Sequence, residues 1–350
     1  MEIVQQRLHN QHLAGAWLKQ PAEIVQWLGA VQAQDYAGAK WALGLRLPGA
    51  TGDDVERAFT EGAILRTHVL RPTWHFVAPA DIRWLLALTA PRVHALNAPY
   101  YRKCELDQQT FRRSRKALAK ALQGGRQLTR DELRAVLAQA GIATEGDLRM
   151  AYLMMRAELD GLVCSGARRG KQFTYALLDE RAPQAKTLER DEALCELISR
   201  YFASRGPATL QDFVWWSGLA MADAKRGVEA VKPRLEQAAL NGQTYWFAPA
   251  SPFTSGAFQV AYLLPNYDEY GIGYRDRGAM FDAEHASQLV FNHLIVIQGR
   301  LAGTWKRTLK KHAAVIETNT FARLTKAENR AVAAAARQYG AFLGLPVVPA

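Results

Sequence analysis

Two glutamines, Gln32 and Gln34, flank a single alanine near the start of the chain. On a helix their side chains would point in nearly opposite directions, whereas on an extended segment they would share one side, with Val31 and Ala33 on the other. A glutamine can orient a water molecule through its carbonyl oxygen and donate a hydrogen bond through its amide. The spacing therefore permits a pair of uncharged catalytic groups, and it equally permits two amides that bind backbone in an interhelical turn.

Asp35 follows the second glutamine and precedes an apolar-periodic segment that begins at Tyr36. Aspartate is favoured at the position that caps a helix N-terminus. We therefore predict that Asp35 caps the next helix. The alternative is that its carboxylate acts as an acid.

Motifs of several other chemistries are missing from the sequence. It contains no Walker A motif, HExxH, GxSxG or paired CxxC, and Gly271-Ile272-Gly273 followed by Gly278 misses the dinucleotide-binding spacing. Three cysteines at wide spacing, Cys104, Cys164 and Cys195, make neither a disulfide framework nor a metal knuckle. We therefore expect no metal and no nucleotide or other cofactor, and reduced cysteines.

The chain is basic, because 44 Lys and Arg residues against 33 Asp and Glu residues give a formal net charge of +11. From His285 to Ile316 there is no acidic residue, and Trp305 interleaves with the cations there. Such a balance indicates a phosphate-bearing partner, although a solvated basic face would look the same. The cations form three clusters: Arg112, Arg113, Arg115, Lys116 and Lys120; Arg168, Arg169 and Lys171; and Arg300, Lys306, Arg307, Lys310 and Lys311.

Composition indicates a folded protein, since 49% of the residues are hydrophobic and 22% are charged. No apolar run approaches the roughly 18 residues that a membrane helix requires, and residues 1–6 have no leader character. We therefore expect no membrane association and a cytoplasmic location.

One plan of helices followed by a hairpin recurs three times along the chain. The middle copy has a first helix near 110–124, a second helix that begins at the capping box Thr129-Arg130-Asp131-Glu132, and a third helix near 147–160. Two strands follow, at 162–165 and 173–177, around a basic turn. Three helices and a basic hairpin are typical of a winged helix. The alternative is a generic helical protein with hairpins.

The other copies are less regular. The third has a helix near 190–205, the capping pattern Thr209-Leu210-Gln211-Asp212, a helix near 220–238 and a short hairpin that ends at Phe247. The first has helices near 2–13, 21–30, 36–45 and 53–61, and strands at 64–70 and 73–77. Beyond residue 257, strands at 258–264, 289–298, 304–309 and 313–321 predict a small sheet or barrel, and Thr325-Lys326-Ala327-Glu328 opens a last helix.

Four stretches of the chain resemble the tandem winged-helix DNA glycosylases of the AlkZ (YcaQ-type) family. They are Val31 to Tyr36, Arg66 to His75, Asn266 to Tyr270 and Gly303 to Arg307, and together they span nearly the whole chain. The resemblance implies an α+β, mainly α fold of three winged helices, 1–100, 101–182 and 183–250, followed by a β-barrel-like domain with a C-terminal helix, 251–350. It also implies that Gln32 and Gln34 are the catalytic pair.

The activity that the resemblance implies is a monofunctional DNA glycosylase for cationic N-alkylated purines in base excision repair. The chain is compact for the family, so removal of single adducts is expected before unhooking of interstrand crosslinks. Residues expected to contact DNA are Arg66, His68, Arg71, Arg168, Arg169, Lys171, Arg300, Trp305, Lys306, Arg307, Lys310 and Lys311. His68 and His75, in the first hairpin, could instead be hydrogen-bonded structural groups. A winged-helix transcription regulator or architectural protein that cleaves nothing is the alternative.

Overall fold

The computed structural model of the chain describes residues 3–15, 18–146, 148–240, 242–249, 260–281 and 292–349. Helices predominate over strands in this part of the chain, which confirms the predicted α+β, mainly α class. None of the described helices is both long and apolar enough to cross a membrane.

The chain folds into two compact units, each assembled from separate segments. The first contains residues 1–56, 195–216 and 220–350, and the second contains residues 57–194 and 217–219. The division into four domains, which follows the sequence repeats, stays a prediction.

The N-terminal part of the chain is helical up to a hairpin. Its elements are α1 (Ile3–Asn10), α2 (Pro21–Leu28), β1 (Val31–Gln32), α3 (Tyr36–Leu45), α4 (Gly52–Glu61), β2 (Leu65–Val69) and β3 (Arg71–Val77). Strands β2 and β3 are antiparallel, with Thr67 opposite His75. Leu70, which joins the two strands, has a φ of 63°. The predicted elements of this region are confirmed to within a few residues.

The next part contains a helix that the sequence reasoning missed. Its elements are α5 (Ile82–Lys103), α6 (Gln108–Leu122), β4 (Leu128–Thr129), α7 (Arg130–Gln139), α8 (Arg149–Leu159), β5 (Val163–Ser165), β6 (Thr174–Leu177) and α9 (Leu178–Arg181). Helix α5 contains Pro91 and Pro99, which read as helix breakers in the sequence. The capping box at the start of α7 is confirmed, because the Thr129 hydroxyl accepts from Glu132 N and the Glu132 carboxylate accepts from Thr129 N.

The core of this second unit forms where α6, α7 and α8 cover the sheet with strand order β4-β6-β5. Leu118, Leu133 and Leu153 are almost completely buried there. Truncating any of these leucines to alanine would cost about 2–5 kcal/mol of unfolding free energy. This apolar cluster holds the α7 N-terminus and the β5–β6 hairpin in place.

The third helical region departs from its prediction at one end. It comprises α10 (Arg190–Arg205), α11 (Leu210–Ser217), α12 (Met221–Val231), β7 (Glu236–Leu240) and β8 (Gln243–Phe247). The prediction of a helix to residue 238 was wrong, since a 3-10 turn at Lys232–Arg234 ends the helix and Ala238 pairs with Tyr245 in an antiparallel hairpin. Pro233 lacks the amide hydrogen that would continue the helix and restricts the residue before it.

The C-terminal part consists of β9 (Ala261–Leu264), α13 (Glu269–Ile272), β10 (His293–Ile297), β11 (Arg300–Lys310), β12 (Ala313–Thr320), α14 (Lys326–Leu343) and β13 (Val347–Pro349). The strands form a five-stranded sheet of order β13-β12-β11-β10-β9, in which only the β12–β13 pair is parallel. The predicted starts at 258 and 289 lie outside the described residues. The Thr325 capping box of α14 is confirmed.

Candidate active site and nucleic-acid interface

The glutamine motif lies in the first unit, on the short strand β1 and the link to α3. Val31 and Ala33 are 1% and 0% exposed, as expected for the apolar side of an extended segment. Gln32 is 8% exposed, whereas Gln34 is exposed. The motif therefore combines one enclosed amide and one that solvent reaches, and convergence of the two side chains stays a prediction.

A buried ion pair holds the backbone of this segment. The Gln32 N–H donates to Oε1 of Glu269 at 2.8 Å. Arg205 donates from Nη1 to the Leu28 carbonyl at 2.7 Å and from Nη2 to the Ala30 carbonyl at 3.0 Å. Arg205 Nη2 also donates to Oε2 of Glu269 at 2.6 Å, and neither side chain is exposed. The peptide that leads into the motif is thus bound on both its donor and its acceptor side.

A second buried ion pair lies one residue earlier in the chain. Asp268 accepts from Nη1 and Nη2 of Arg46 at 2.8 and 3.0 Å, a bidentate arrangement that fixes the guanidinium plane. Arg46 also donates to the backbone and side-chain oxygens of Gln11 and to the Ala42 carbonyl. Glu269, which accepts from the Gln32 N–H, is the part of the site whose role the sequence reasoning missed. The available signal was a pair of adjacent acids that follows a strand of four buried residues after a short link, 265–267.

Asp35 caps helix α3, as predicted. Its Oδ1 accepts from Gly38 N at 3.1 Å. Its Oδ2 lies 3.8 Å from Nη2 of Arg307, whose Nη1 donates to the Tyr339 hydroxyl at 2.6 Å. The carboxylate is therefore engaged by a helix N-terminus and a cation, which leaves the neighbouring glutamines as the uncharged polar groups of the motif.

His293 lies beside Arg307 and is held in a neutral form. Its Nδ1 accepts from Asn266 N at 2.8 Å, so the proton of the neutral ring is on Nε2. Burial, and then the Arg307 charge, lower the pKa of His293 to about 4. Burial, and then Arg46, likewise lower the pKa of His12 to about 4.

These two histidines should make the protein less stable as the pH falls. Their pKa of about 4 in the folded chain lies below the ordinary value of 6.5, so the unfolded chain takes up their protons first. The free energy of unfolding should therefore fall as the pH drops from 6.5 towards 4, by at most about 1.4 kcal/mol per pH unit for each histidine. Chemical denaturation between pH 7 and pH 5 measures this slope. His293→Gln should flatten it, whereas His312→Gln, at an exposed position, should not; an equal slope in all three proteins would contradict the assignment.

The cations of strand β11 lie on two faces rather than one. Side chains alternate along a strand, so Trp305 and Arg307 share the face opposite to Lys306. Trp305 is 2% exposed and donates from Nε1 to the Leu264 carbonyl at 2.8 Å. The expectation that Trp305 interleaves with the cations at the surface is thus corrected, because the indole is in the core against Tyr339. Lys306 faces outward and pairs in register with Glu317. Three further cations are exposed: Arg300, Lys310 and Lys311.

The first-hairpin residues of the second unit make internal contacts. Arg66 is 8% exposed and lies 4.3 Å from the Trp74 ring centroid and 4.6 Å from that of Phe173. His68 is 4% exposed, and its Nδ1 lies 2.5 Å from Oε2 of Glu158. These contacts with Trp74, Phe173 and Glu158 bury both side chains, and their contact with DNA stays a prediction.

The β5–β6 hairpin presents its basic residues differently from one another. The Arg168 guanidinium is 5.3 Å from the Phe173 ring centroid. Arg169 donates to Oε1 of Glu132 and to the Gln127 carbonyl, both at 2.7 Å. Lys171 is exposed at the tip.

Two further residues of the first hairpin, both on β3, are at least partly buried. Arg71, at the start of β3, is half-buried, and His75 is buried with Nδ1 3.0 Å from the Thr73 carbonyl.

Comparisons with known proteins identify the family of this chain. The family described as DNA glycosylase AlkZ-like matches residues 25–342. Within the described residues, no cluster of three metal-ligating side chains occurs. A relative from Streptomyces sahachiroi, named interstrand DNA cross-link repair glycosylase, is 25% identical over 324 residues, which are 86% of this chain and 85% of the relative. The solved structure of Streptomyces sahachiroi DNA glycosylase AlkZ matches with a TM-score of 0.80 at 21% identity and covers 100% of this chain and 98% of that one. The chain therefore belongs to the AlkZ-like family and is a DNA glycosylase.

Proposed function

We propose that this glycosylase is monofunctional and releases cationic N-alkylated purines, N7-alkylguanine and N3-alkyladenine, from double-stranded DNA to leave an abasic site in base excision repair. The observation that supports this most directly is the pairing of Gln32 and Gln34 in a motif whose neighbouring carboxylate, Asp35, is occupied by Gly38 N and Arg307. The family membership excludes the alternative of a DNA-binding protein without enzymatic activity.

The chemistry of the motif explains the substrate class. Positive charge develops on the deoxyribose as a base departs, and a carboxylate would stabilise that charge best. An amide pair is weaker, but it suffices when the base already carries the positive charge and leaves as a neutral molecule. Gln32 and Gln34 then orient the attacking water and the sugar edge through their carbonyl oxygens.

A Schiff-base lyase step has no nucleophile at the motif. The next lysine along the chain, Lys40, is bound to Glu56 at 2.7 Å. The abasic strand should therefore remain intact after base release.

We further propose that the chain binds duplex DNA with three tandem winged helices, 1–100, 101–182 and 183–250, and a C-terminal domain, 251–350. It acts as a monomer in the cytoplasm, at the nucleoid, and needs no nucleotide cofactor. The exposed cations suit phosphate contacts best, because their charge is available to solvent. They are Lys171, Arg300, Lys306, Lys310 and Lys311.

The test uses a duplex with a single 7-methylguanine and a matched duplex with guanine. We expect free 7-methylguanine, detected by mass spectrometry, and a strand that breaks at the lesion only after hot alkali. Duplex binding without base release would refute the proposal, and cleavage without alkali would refute the monofunctional mechanism.

Crosslinked DNA is a second substrate to measure. The relative from Streptomyces sahachiroi is named for interstrand cross-link repair, which makes an N7-to-N7 crosslinked duplex the relevant probe. We expect slower release from the crosslink than from the single adduct, as assessed by denaturing electrophoresis.

A further inference from the structure

Glu269 is a fully buried carboxylate that touches the backbone of the catalytic motif. It is 0% exposed, and its two oxygens have different partners. Oε1 accepts from the Gln32 N–H at 2.8 Å, and Oε2 accepts from Arg205 and from Trp216 Nε1 at 2.9 Å. We infer that Glu269 is a positioning residue for base release, which holds Gln32 through its backbone; this inference rests on the catalytic role proposed for Gln32.

The geometry leaves the carboxylate little freedom. Arg205 donates to Oε2 from both Nε and Nη2, at 3.2 and 2.6 Å, and its guanidinium lies 4.2 Å from the Trp216 ring centroid. Charge-assisted hydrogen bonds of this kind are short and directional. With Oε2 held by Arg205 and Trp216, Oε1 has a fixed direction towards β1.

The same arginine binds the peptide on the other side of the motif. Its hydrogen bonds to the Leu28 and Ala30 carbonyls connect the turn before Gln32 to the same ion pair that binds the Gln32 N–H. The Gln32 side chain starts from a backbone that is bound at positions 28, 30 and 32. A displacement of about 1 Å in a catalytic group can lower a rate by about 100-fold, so the precision of this anchor bears directly on the reaction.

Asp268 provides a matched control. It is also buried, at 2% exposure, and also forms an ion pair with an arginine, Arg46. Its contacts are with Arg46 and Tyr270 N, and none of these hydrogen bonds joins it to residues 28–34. Asp268→Asn and Glu269→Gln therefore each perturb a buried ion pair. Only Glu269→Gln also changes the group that accepts the hydrogen bond from the Gln32 N–H.

The experiment compares the full-length wild type with Glu269→Gln, Asp268→Asn and the milder Trp216→Phe. Single-turnover release of 7-methylguanine should fall about 100-fold in Glu269→Gln and about 10-fold in Trp216→Phe, which deletes one donor to Oε2. The rate of base release by Asp268→Asn should stay within about threefold of wild type, even if its melting temperature falls as much as that of Glu269→Gln. DNA affinity should be unchanged throughout.

Hydrogen exchange of the Gln32 amide supplies a readout that does not depend on activity. We expect faster exchange in Glu269→Gln and Trp216→Phe, and wild-type exchange in Asp268→Asn. Unchanged exchange in the first two variants, or rate losses that merely follow melting temperature across all three, would overturn the inference. If the wild type releases no alkylated purine, the proposed function fails, and the exchange measurement still decides whether Glu269 holds the motif.

Discussion

Replacing Gln32 or Gln34 by alanine is expected to lower the rate of base release by at least about 100-fold while leaving DNA affinity unchanged. Each substitution removes a group that orients water or the sugar edge. The backbone anchor survives in Gln32→Ala, because Glu269 accepts from the main-chain N–H rather than from the side chain. The motif should therefore keep its position while it loses its chemistry.

Single-turnover kinetics with a 7-methylguanine duplex, binding titrations and thermal melts measure these effects separately. Gln34 is exposed, so Gln34→Ala should leave the melting temperature unchanged. Gln109→Ala, at an exposed position on α6, is the control for loss of a glutamine. Full activity in either motif variant would show that the residue concerned is structural.

Dependence on the charge of the leaving base is the second large effect. The amide pair cannot stabilise an oxocarbenium-like sugar as a carboxylate does, so the base must depart easily by itself. We expect 7-methylguanine to be released at least about 1000-fold faster than uracil or 8-oxoguanine from otherwise identical duplexes, a barrier difference of about 4 kcal/mol.

Variants at Gln34 test the same mechanism from the side of the enzyme. Gln34→Asp should retain some activity, since a carboxylate can also orient water, whereas Gln34→Leu should have none. Efficient excision of uracil by the wild type, with 7-methylguanine untouched, would invalidate both the substrate class and the mechanism.

Local signals in the sequence were sufficient for most of the elements around the site. Asp35 and the capping boxes at Thr129 and Thr325 identified helix starts correctly, because a cap depends on residues within one turn. The burial of Val31 and Ala33 also followed from local periodicity, whereas the burial of Gln32 between them did not. Helix α5 was not among the predicted elements; it buries Trp84 and Val93, and such packing outweighs the cost of Pro91 and Pro99 inside a helix.

Contacts between distant residues could not be predicted in this way. Glu269 lies 237 positions from Gln32 and 64 from Arg205, and the residues next to it in the sequence do not indicate a contact with either one. Trp305 is a different case, since strict alternation along β11 would have separated it from Lys306.

The anchor of the motif also sets the moment at which a newly made molecule becomes competent. A ribosome that adds about 5–20 residues per second needs roughly 10–50 s to travel the 237 positions from Gln32 to Glu269. Until then the Gln32 N–H lacks its acceptor, and Arg205, which binds the Leu28 and Ala30 carbonyls, lacks the carboxylate that fixes it. An unfinished chain is therefore expected to be inert towards DNA damage, however early its glutamines are made.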